Sequence, residues 1–151
     1  MKAPILIFAL STLLLAACDG GAGAGSAKGP LSEERSIAFK TFMPGFSRMG
    51  KMAKGDEAYV PEQFEKLAQT FSSEAREPFE YFASDPEGNG DALPGIWQQP
   101  QQFKAEQDKF FAAVDELNAA AQSQKLDDIR AAYAKVEESC TSCHSSYRRP
   151  K

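Results

Sequence analysis

Residues 140–144 restrict what this chain can become more than any other part of its 151 residues. They spell Cys-Thr-Ser-Cys-His, a C-x-x-C-H motif close to the C-terminus. The thiols of Cys140 and Cys143 can each add across a vinyl group of haem, and the imidazole of His144 is then placed to bind the iron. His144 is the only histidine in the sequence. The motif therefore predicts covalently bound haem c, with one imidazole ligand on one face of the iron and none on the other.

Two other chemistries use a pair of cysteines at this spacing. A zinc site needs four cysteine or histidine ligands, and the only other cysteine, Cys18, lies in an N-terminal segment that is not expected to reach. A thioredoxin-like dithiol stands at the start of a helix in a βαβ unit, whereas Cys140 lies at the end of a helical pattern. Haem c is therefore favoured over a zinc site and over a redox disulfide.

The N-terminal segment predicts export and a membrane anchor. Lys2 is followed by an apolar run over residues 5–15, which is typical of a secretory signal and too short to span a membrane. Residues 15–18, Leu-Ala-Ala-Cys, resemble a bacterial lipobox, in which cleavage leaves the cysteine acylated at the new N-terminus. Ordinary cleavage that leaves a thiol is the alternative, but an unpaired exported thiol is harder to explain. We therefore expect a signal peptide at residues 1–17 and lipidation of Cys18, whose acyl chains would hold the protein stably on a membrane.

A glycine-rich stretch separates this anchor from the rest of the chain. Residues 19–30 contain five glycines and almost nothing to bury, so residues 18–31 are predicted to form a flexible tether. Residues 32–151 are long enough for one compact domain. Covalent haem attachment in bacteria is completed outside the cytoplasm, so both motifs predict a periplasmic protein.

The charge balance disfavours a nucleic-acid partner. Residues 1–17 contain one basic residue, Lys2, and no acidic residue. The mature chain would then carry 16 basic and 21 acidic residues, a net charge of −5 before haem propionates are counted. A phosphate backbone would be repelled by such a domain.

Apolar residues recur at helical spacing through the domain, and strand signals are almost absent. A first helix is predicted from about Ser32 to Lys54, with Ser32 as its N-cap and Gly55 as its stop. Pro44 and Gly45 interrupt it, so a kink or short break is expected at residues 43–45. Its predicted apolar stripe consists of Ile37, Phe39, Phe42, Met43, Phe46, Met49 and Met52.

Three further helices follow from the same periodicity. The second opens at Pro61 and is ended or bent by Pro78. The third spans about residues 101–122 and the fourth about residues 127–148. Residues 85–100 contain three prolines and three glycines, so they are predicted to form a long connection with a task such as covering the edge of a cofactor.

The predicted fold class is all-α, an antiparallel four-helix bundle. Helices of roughly 20 to 35 Å, at about 1.5 Å per residue, suit such a bundle with a cofactor between its helices. The bundle also places His144 inside the protein rather than on a tail. The 11 phenylalanines suit the lining of a flat aromatic cofactor, although a phenylalanine-rich core explains them equally well.

Several motifs occur in a fixed order along residues 32–149. Residues 140–148 spell CTSCHSSYR, and the first predicted helix holds Arg35, then Phe39, then the Met/Gly-rich residues 43–55. In this order the chain resembles the cytochromes c′ and their class II c-type relatives, which are four-helix bundles. That family has C-x-x-C-H-x-x-Tyr/Phe-Arg/Lys near its C-terminus, and residues 82–97 are similar to the loop before its third helix. Pro44-Gly45 departs from the family pattern.

The resemblance implies roles for the residues around the haem motif. Cys140 and Cys143 would hold the haem, and His144 would be the proximal iron ligand. Arg148 would lie near the proximal face, where its charge tunes the iron potential. The alternative for Arg148 is a solvated side chain that interacts with the dipole of its helix.

The resemblance also implies contacts with the haem propionates. Arg35 and Ser36 match positions that contact them, and a guanidinium is well shaped to pair with a carboxylate. Glu87 matches a further contact in the loop. Family members commonly form homodimers through their first two helices, which makes a homodimer possible here, and the redox partner is not identified by the sequence.

Phe39 separates two functional classes. Low-spin electron carriers of the family have a methionine at this position as the sixth ligand, and a phenyl ring cannot bind iron. Phe39 therefore implies a five-coordinate iron beside a small apolar pocket, which suits nitric oxide or carbon monoxide better than dioxygen. In the competing hypothesis Met43 swings in to ligate the iron. The methionines at 43, 49 and 52 are more simply explained as core fillers.

The leading hypothesis is a membrane-tethered haem protein that binds nitric oxide and limits its toxicity. The alternative is an electron-transfer cytochrome. A peroxidase-like enzyme is disfavoured because His144 is used on the proximal side, which leaves no histidine for a distal acid or base.

Overall fold

The computed structural model describes residues 27–150, and the predicted signal peptide and Cys18 lie outside the described residues. These residues form four long helices and two short ones. Helix α1 spans Pro30–Lys54, α2 spans Pro61–Glu74, α4 spans Pro100–Ser123 and α5 spans Leu126–Tyr147. A 3-10 helix covers Glu77–Tyr81, and α3 is the single turn Gly95–Gln98.

The four long helices pack as a closed bundle. Helix α1 packs against α2 and α5, and α4 packs against α2 and α5, so each long helix has two long neighbours. Within residues 27–150 the only β-type pairings are two isolated bridges, Lys28 with Asn89 and Ala92 with Arg148. The prediction of an all-α four-helix bundle is confirmed.

Helix α1 begins two residues earlier than predicted. Its N-cap is Gly29 and Pro30 is its first residue, whereas Ser32 was expected to be the cap. Ser32 lies buried inside the first turn, where its hydroxyl donates to the carbonyl of Gly29 and its N–H donates to the Asp85 carboxylate at 3.0 Å. The capping group therefore comes from a distant loop. The predicted stop at Gly55 is confirmed, because Gly55 adopts φ 87°, which favours glycine.

Pro44 does not break α1. Residues 30–54 form one continuous helix with Pro44 on its exposed side. Two members of the predicted apolar stripe also face solvent, since Ile37 is 51% exposed and Met43 is 47% exposed. The prediction of Met43 as a core filler is therefore wrong, because the burying face of α1 lies on the opposite side of the helix from Pro44.

The remaining boundaries lie close to the predicted ones. Helix α2 ends at Glu74, and Pro78 lies in the 3-10 helix that follows it. Helices α4 and α5 each begin one residue before the prediction. The last residues assigned to the tether belong to the packed structure, because the N–H of Gly29 donates to Gly88 at 2.8 Å and Ala27 accepts from Gly90 at 2.9 Å.

One hydrophobic cluster, here called the main core, runs through the centre of the bundle and draws on all four long helices. Its most completely buried large side chains are Met49, Met52, Phe64, Phe71, Val114, Leu117, Ile129 and Val136. Within residues 27–150 no helix combines the length and the apolar character needed to cross a membrane.

Candidate haem site

The haem motif occupies the last two turns of α5. Cys140 and Cys143 share a helix flank with Val136 and Tyr147, because residues three or four apart lie above one another. Cys140 packs against the main core. Cys143 packs against a second cluster, here called the end cluster, whose buried members are Ile96, Phe103 and Tyr147 and whose half-buried members are Phe79, Phe82, Ala92, Trp97 and Cys143.

Aromatic rings dominate the end cluster. The rings of Phe82 and Phe103 lie 4.8 Å apart, those of Phe79 and Phe82 are stacked at 5.6 Å, and Tyr147 meets Phe103 edge-on at 5.2 Å. The indole N–H of Trp97 donates to the carbonyl of Phe82 at 2.8 Å, which fixes α3 against the 3-10 helix. Cys143 therefore borders a group of aromatic rings, of which Phe79, Phe82 and Trp97 are half-buried.

The thiols are not tuned for redox exchange. Burial, with the Glu137 carboxylate nearby, raises the pKa of Cys140 to about 11, and burial with Glu106 nearby raises the pKa of Cys143 to about 11. Both thiols are free of a disulfide. Catalytic dithiols have lowered thiol pKa values, so the redox alternative is disfavoured.

The zinc alternative finds no support in the described part of the chain. Among residues 27–150, no three or more His, Cys, Asp or Glu side chains are grouped so that they could hold a metal ion. The donor set at the end of α5 consists of two thiols and one imidazole, which is the set needed for covalent haem.

His144 is more exposed than predicted. It lies in the last turn of α5, on the surface of the polypeptide, whereas the bundle was expected to bury it. The physical reason is helical geometry, because one residue advances about 100° around a helix of 3.6 residues per turn. Cys143 faces the end cluster, so His144 is turned away from that cluster toward the edge of the bundle.

Arg35 is bound by backbone carbonyls of the 3-10 helix and of the loop that follows it, residues 82–94. Its side chain is buried, and its guanidinium donates to the carbonyl of Tyr81 at 2.8 Å and to that of Asn89 at 2.8 Å. It also lies 4.6 Å from the ring centre of Phe82, in the end cluster. Burial lowers the pKa of Arg35, and the Asp85 carboxylate partly offsets this. Two of its five donors are used by carbonyls, so the others remain for a carboxylate such as a propionate.

Asp85 explains how the loop is fastened. This carboxylate is only 4% exposed, and it accepts from the N–H groups of Ser32 at 3.0 Å and Glu87 at 3.1 Å. Gly29 allows the approach, since a Cβ there would lie 2.1 Å from the Asp85 carboxylate. The loop is fastened to the other end of the chain too, because the N–H of Leu93 donates to the carbonyl of Tyr147 at 2.9 Å.

Ser36 and Glu87 were also predicted to contact the propionates, but neither is buried as Arg35 is. The Ser36 hydroxyl donates to the carbonyl of Ser32 at 2.8 Å, so its proton is already used. Glu87 lies exposed in the loop. Arg148 follows the end of α5, and its guanidinium lies 3.9 Å from the Asp91 carboxylate.

Phe39 joins the two clusters. It is half-buried on α1 and packs against the main core, with its ring 6.0 Å from Phe42. It also meets Phe79 at 5.7 Å and Phe82 at 6.3 Å, both edge-on, and these two rings belong to the end cluster. The structure therefore brings Phe39, Arg35 and the rings beside Cys143 into one region of the bundle.

A family model described as Cytochrome C′ matches residues 31–148 of this chain. The chain belongs to the cytochrome c′ family. A cytochrome c′ from Alcaligenes xylosoxydans xylosoxydans is 34% identical over 117 residues, which cover 78% of this chain and 91% of that protein. The resemblance inferred from the haem motif and from α1 is thereby confirmed.

Solved structures of cytochromes c′ share the fold at similar identity. A nitric oxide complex of a single-residue variant of cytochrome c prime from Alcaligenes xylosoxidans superposes with a TM-score of 0.76 at 33% identity, covering 80% of this chain and 94% of that one. The crystal structure of cytochrome c′ from Rubrivivax gelatinosus gives a TM-score of 0.76 at 30% identity, covering 82% and 98%.

Cytochromes c′ carry covalently bound haem c, and haem c is the cofactor of this chain. The residues at the end of α5 fit the group, because two half-buried thiols, Cys140 beside the main core and Cys143 beside the aromatic end cluster, are followed by an imidazole. Cys140 and Cys143 would form the thioethers, and His144 would supply the axial nitrogen.

Sequence reasoning missed two polar residues of this cytochrome c′ site. Asp85 was overlooked because its partners, Ser32 and Gly29, are more than fifty residues away. Glu106 on α4 accepts a hydrogen bond from Ser142, inside the haem motif, at 2.8 Å. Its only signal in the sequence was an acidic residue between apolar positions of a helix, which is too common to single it out.

Proposed function

We propose that this protein is a membrane-tethered periplasmic cytochrome c′ that binds nitric oxide, and also carbon monoxide, at a five-coordinate haem iron and thereby limits nitric oxide toxicity. The observation that carries the proposal is Phe39, a ring that cannot ligate iron. It stands at the position where the family's electron carriers have methionine, and it is packed between Phe42, Phe79 and Phe82.

The methionines of the domain support a five-coordinate iron. Met43 lies one turn beyond Phe39 on α1, and its side chain is 47% exposed to solvent. Met49 and Met52 are buried in the main core, where helix packing holds them. The sequence has one histidine, and it is assigned to the proximal side. Ligation by Met49 or Met52 would therefore need a rearrangement of α1, and ligation by Met43 would need its exposed side chain to turn inward.

The surroundings of Phe39 favour small apolar ligands. The ferrous iron of haem supplies the coordination position that nitric oxide takes. The three rings that Phe39 contacts are phenyl groups, which donate no hydrogen bond. Nitric oxide and carbon monoxide need little hydrogen bonding, whereas bound dioxygen develops negative charge that wants a donor.

Relatives support the choice of ligand. The similar structures include nitric oxide complexes of cytochrome c prime from Alcaligenes xylosoxidans, among them a ferrous variant. We extend this ligand class to the present protein. The proposal gives it no catalytic residue and treats it as a binding protein rather than an enzyme.

Variants of Phe39 test the proposal. Phe39→Ala should widen the apolar pocket and speed carbon monoxide entry severalfold, measured by stopped flow on the ferrous holoprotein. Phe39→Met should convert part or all of the ferrous iron to low spin, seen by absorption spectroscopy. Met43→Ala is the matched control on the same helix and should leave the resting spectrum unchanged. A wild-type low-spin spectrum that Met43→Ala abolishes would instead establish the electron carrier.

Lipidation at Cys18 would place this chemistry on a membrane facing the periplasm. The support is the Leu-Ala-Ala-Cys sequence at residues 15–18 followed by a glycine-rich stretch. Intact mass of the membrane fraction should show a chain that begins at Cys18 and carries acyl groups. Cys18→Ser should release or misprocess the protein. Soluble, unacylated wild-type protein in the periplasm would end the membrane part of the proposal and leave the gas-binding part standing.

A further inference from the structure

Glu106 on α4 makes a side-chain hydrogen bond that reaches into the haem motif from another helix. Its Oε2 accepts from the hydroxyl of Ser142 at 2.8 Å, and Ser142 stands between Cys140 and Cys143. Its Oε1 accepts from the ammonium of Lys109, one turn further along α4, at 2.5 Å. Both carboxylate oxygens are therefore fixed, one by the motif and the other by a cation.

The two partners of this ion pair differ in solvent contact. The Glu106 side chain is 17% exposed, whereas that of Lys109 is 67% exposed. Water and salt screen an exposed charge far more than a sheltered one. The field of the carboxylate at the haem motif is therefore only partly cancelled by the ammonium.

Glu106 remains charged in this position. The hydrogen bonds from Lys109 and Ser142 lower its pKa, so the carboxylate is ionised at neutral pH. The hydrogen bond from Ser142 holds this charge beside Cys143, the next residue along α5. A fixed, sheltered, negative charge thus lies beside the residue that would carry one haem thioether.

We propose that the negative charge of Glu106 tunes the reduction potential of the haem iron. The ammonium of Lys109 weakens the effect of that charge. Ferric haem carries one more positive charge than ferrous haem, and a nearby carboxylate stabilises that charge. Glu106 therefore lowers the potential, and Lys109 raises it by partial neutralisation. The proposal holds for any gas ligand and goes beyond nitric oxide binding.

The chain offers a matched control in Glu116, a second carboxylate of α4 that pairs with a lysine. Glu116 lies ten residues along α4 from Glu106, about 15 Å at 1.5 Å per residue. It pairs with Lys135 of α5 at 2.5 Å, and both side chains of this pair are about half exposed. Glu116→Gln removes the same charge from the same helix but far from the haem motif.

Spectroelectrochemical midpoint potentials of the holoprotein at pH 7 and constant ionic strength test the proposal. Glu106→Gln keeps an acceptor for Ser142 and removes the charge, so the potential should rise. We expect a threefold to tenfold change in the ferric-to-ferrous ratio at fixed potential, where tenfold corresponds to about 59 mV for a one-electron couple. Lys109→Gln should shift the potential the other way, and Glu116→Gln should shift it far less than Glu106→Gln.

Equal shifts for Glu106→Gln and Glu116→Gln would overturn the proposal. The potential would then depend on the net charge of the protein and not on where the carboxylate lies. No shift for Glu106→Gln would overturn it too. If Glu106→Gln fails to fold or to attach haem, the exposed Lys109→Gln decides alone: a lower potential supports the proposal, and an unchanged or higher one rejects it.

Discussion

The main core and the end cluster are built from similar residues, yet the polypeptide closes them to different degrees. In the main core, side chains such as Phe64, Leu117 and Val136 are at most 1% exposed. In the end cluster only Ile96, Phe103 and Tyr147 are buried, and the other rings are half-buried. The difference follows from what covers them, because four long helices surround the main core whereas the 3-10 helix, a loop and the single turn α3 cover the end cluster.

The main core stabilises the fold, whereas the end cluster offers a surface for the cofactor. Helix packing alone completes the main core, which needs no other molecule to exclude water. The end cluster combines half-buried rings with Cys143 and is joined through Phe39 to α1. Burying rings of this size against a flat apolar group would gain on the order of 25 cal/mol per Å² of apolar surface. The end of the bundle is thus the part of the fold that haem c completes.

The largest expected effect is the loss of the cofactor. Replacing both Cys140 and Cys143 by alanine should abolish covalent attachment, so acid-acetone should extract all red pigment from the variant and none from the wild type. Far-UV circular dichroism should still report a mainly helical protein, because the main core does not depend on the end cluster. Pigment that leaves the wild-type polypeptide would contradict covalent attachment.

Truncating a side chain of the main core should lower the stability of the protein and leave its visible spectrum unchanged. Phe64→Ala removes a fully buried ring and should lower the free energy of unfolding by about 3–5 kcal/mol, measured by guanidinium titration. The visible spectrum of the folded variant should match that of the wild type. Ile37→Ala is the control, since Ile37 is largely exposed and should change stability by no more than about 0.5 kcal/mol. A spectrum altered by Phe64→Ala would show that the two regions are coupled.

A smaller effect is expected where the loop is fastened to α1. Asp85→Ala leaves the N–H groups of Ser32 and Glu87 without their acceptor and should cost about 1–3 kcal/mol in the free energy of unfolding. Because the same loop holds Arg35, the reduction potential should shift as well. Glu80→Ala, an exposed carboxylate in the neighbouring 3-10 helix, is the control and should change neither quantity. Equal costs for the two variants would argue against a fastening role for Asp85.

The features that the sequence predicted correctly are local ones. Helical periodicity located the four long helices, Gly55 marked the end of α1, and the C-x-x-C-H spacing identified the haem motif. These signals depend on residues within one or two turns of each other, so they can be recognised without knowledge of the fold. The family resemblance added Arg35 and Phe39, which the structure brings into one region.

The features that the sequence mispredicted depend on distant contacts. Ser32 was taken for the cap of α1 because the true acceptor, Asp85, is 53 residues away. Met43 was assigned to the core because apolar residues flank both sides of α1 near Pro44, and only packing against α2 and α5 selects the buried side. The exposure of His144 likewise depends on where the bundle ends around α5.

The most direct test of the central claim is the absorption spectrum of the ferrous wild-type holoprotein, recorded before and after addition of nitric oxide. The account predicts a high-spin, five-coordinate spectrum that changes on mixing, with no slow phase for displacement of a protein ligand. A low-spin ferrous spectrum, or nitric oxide binding limited by ligand release, would contradict it and identify the protein as an electron carrier.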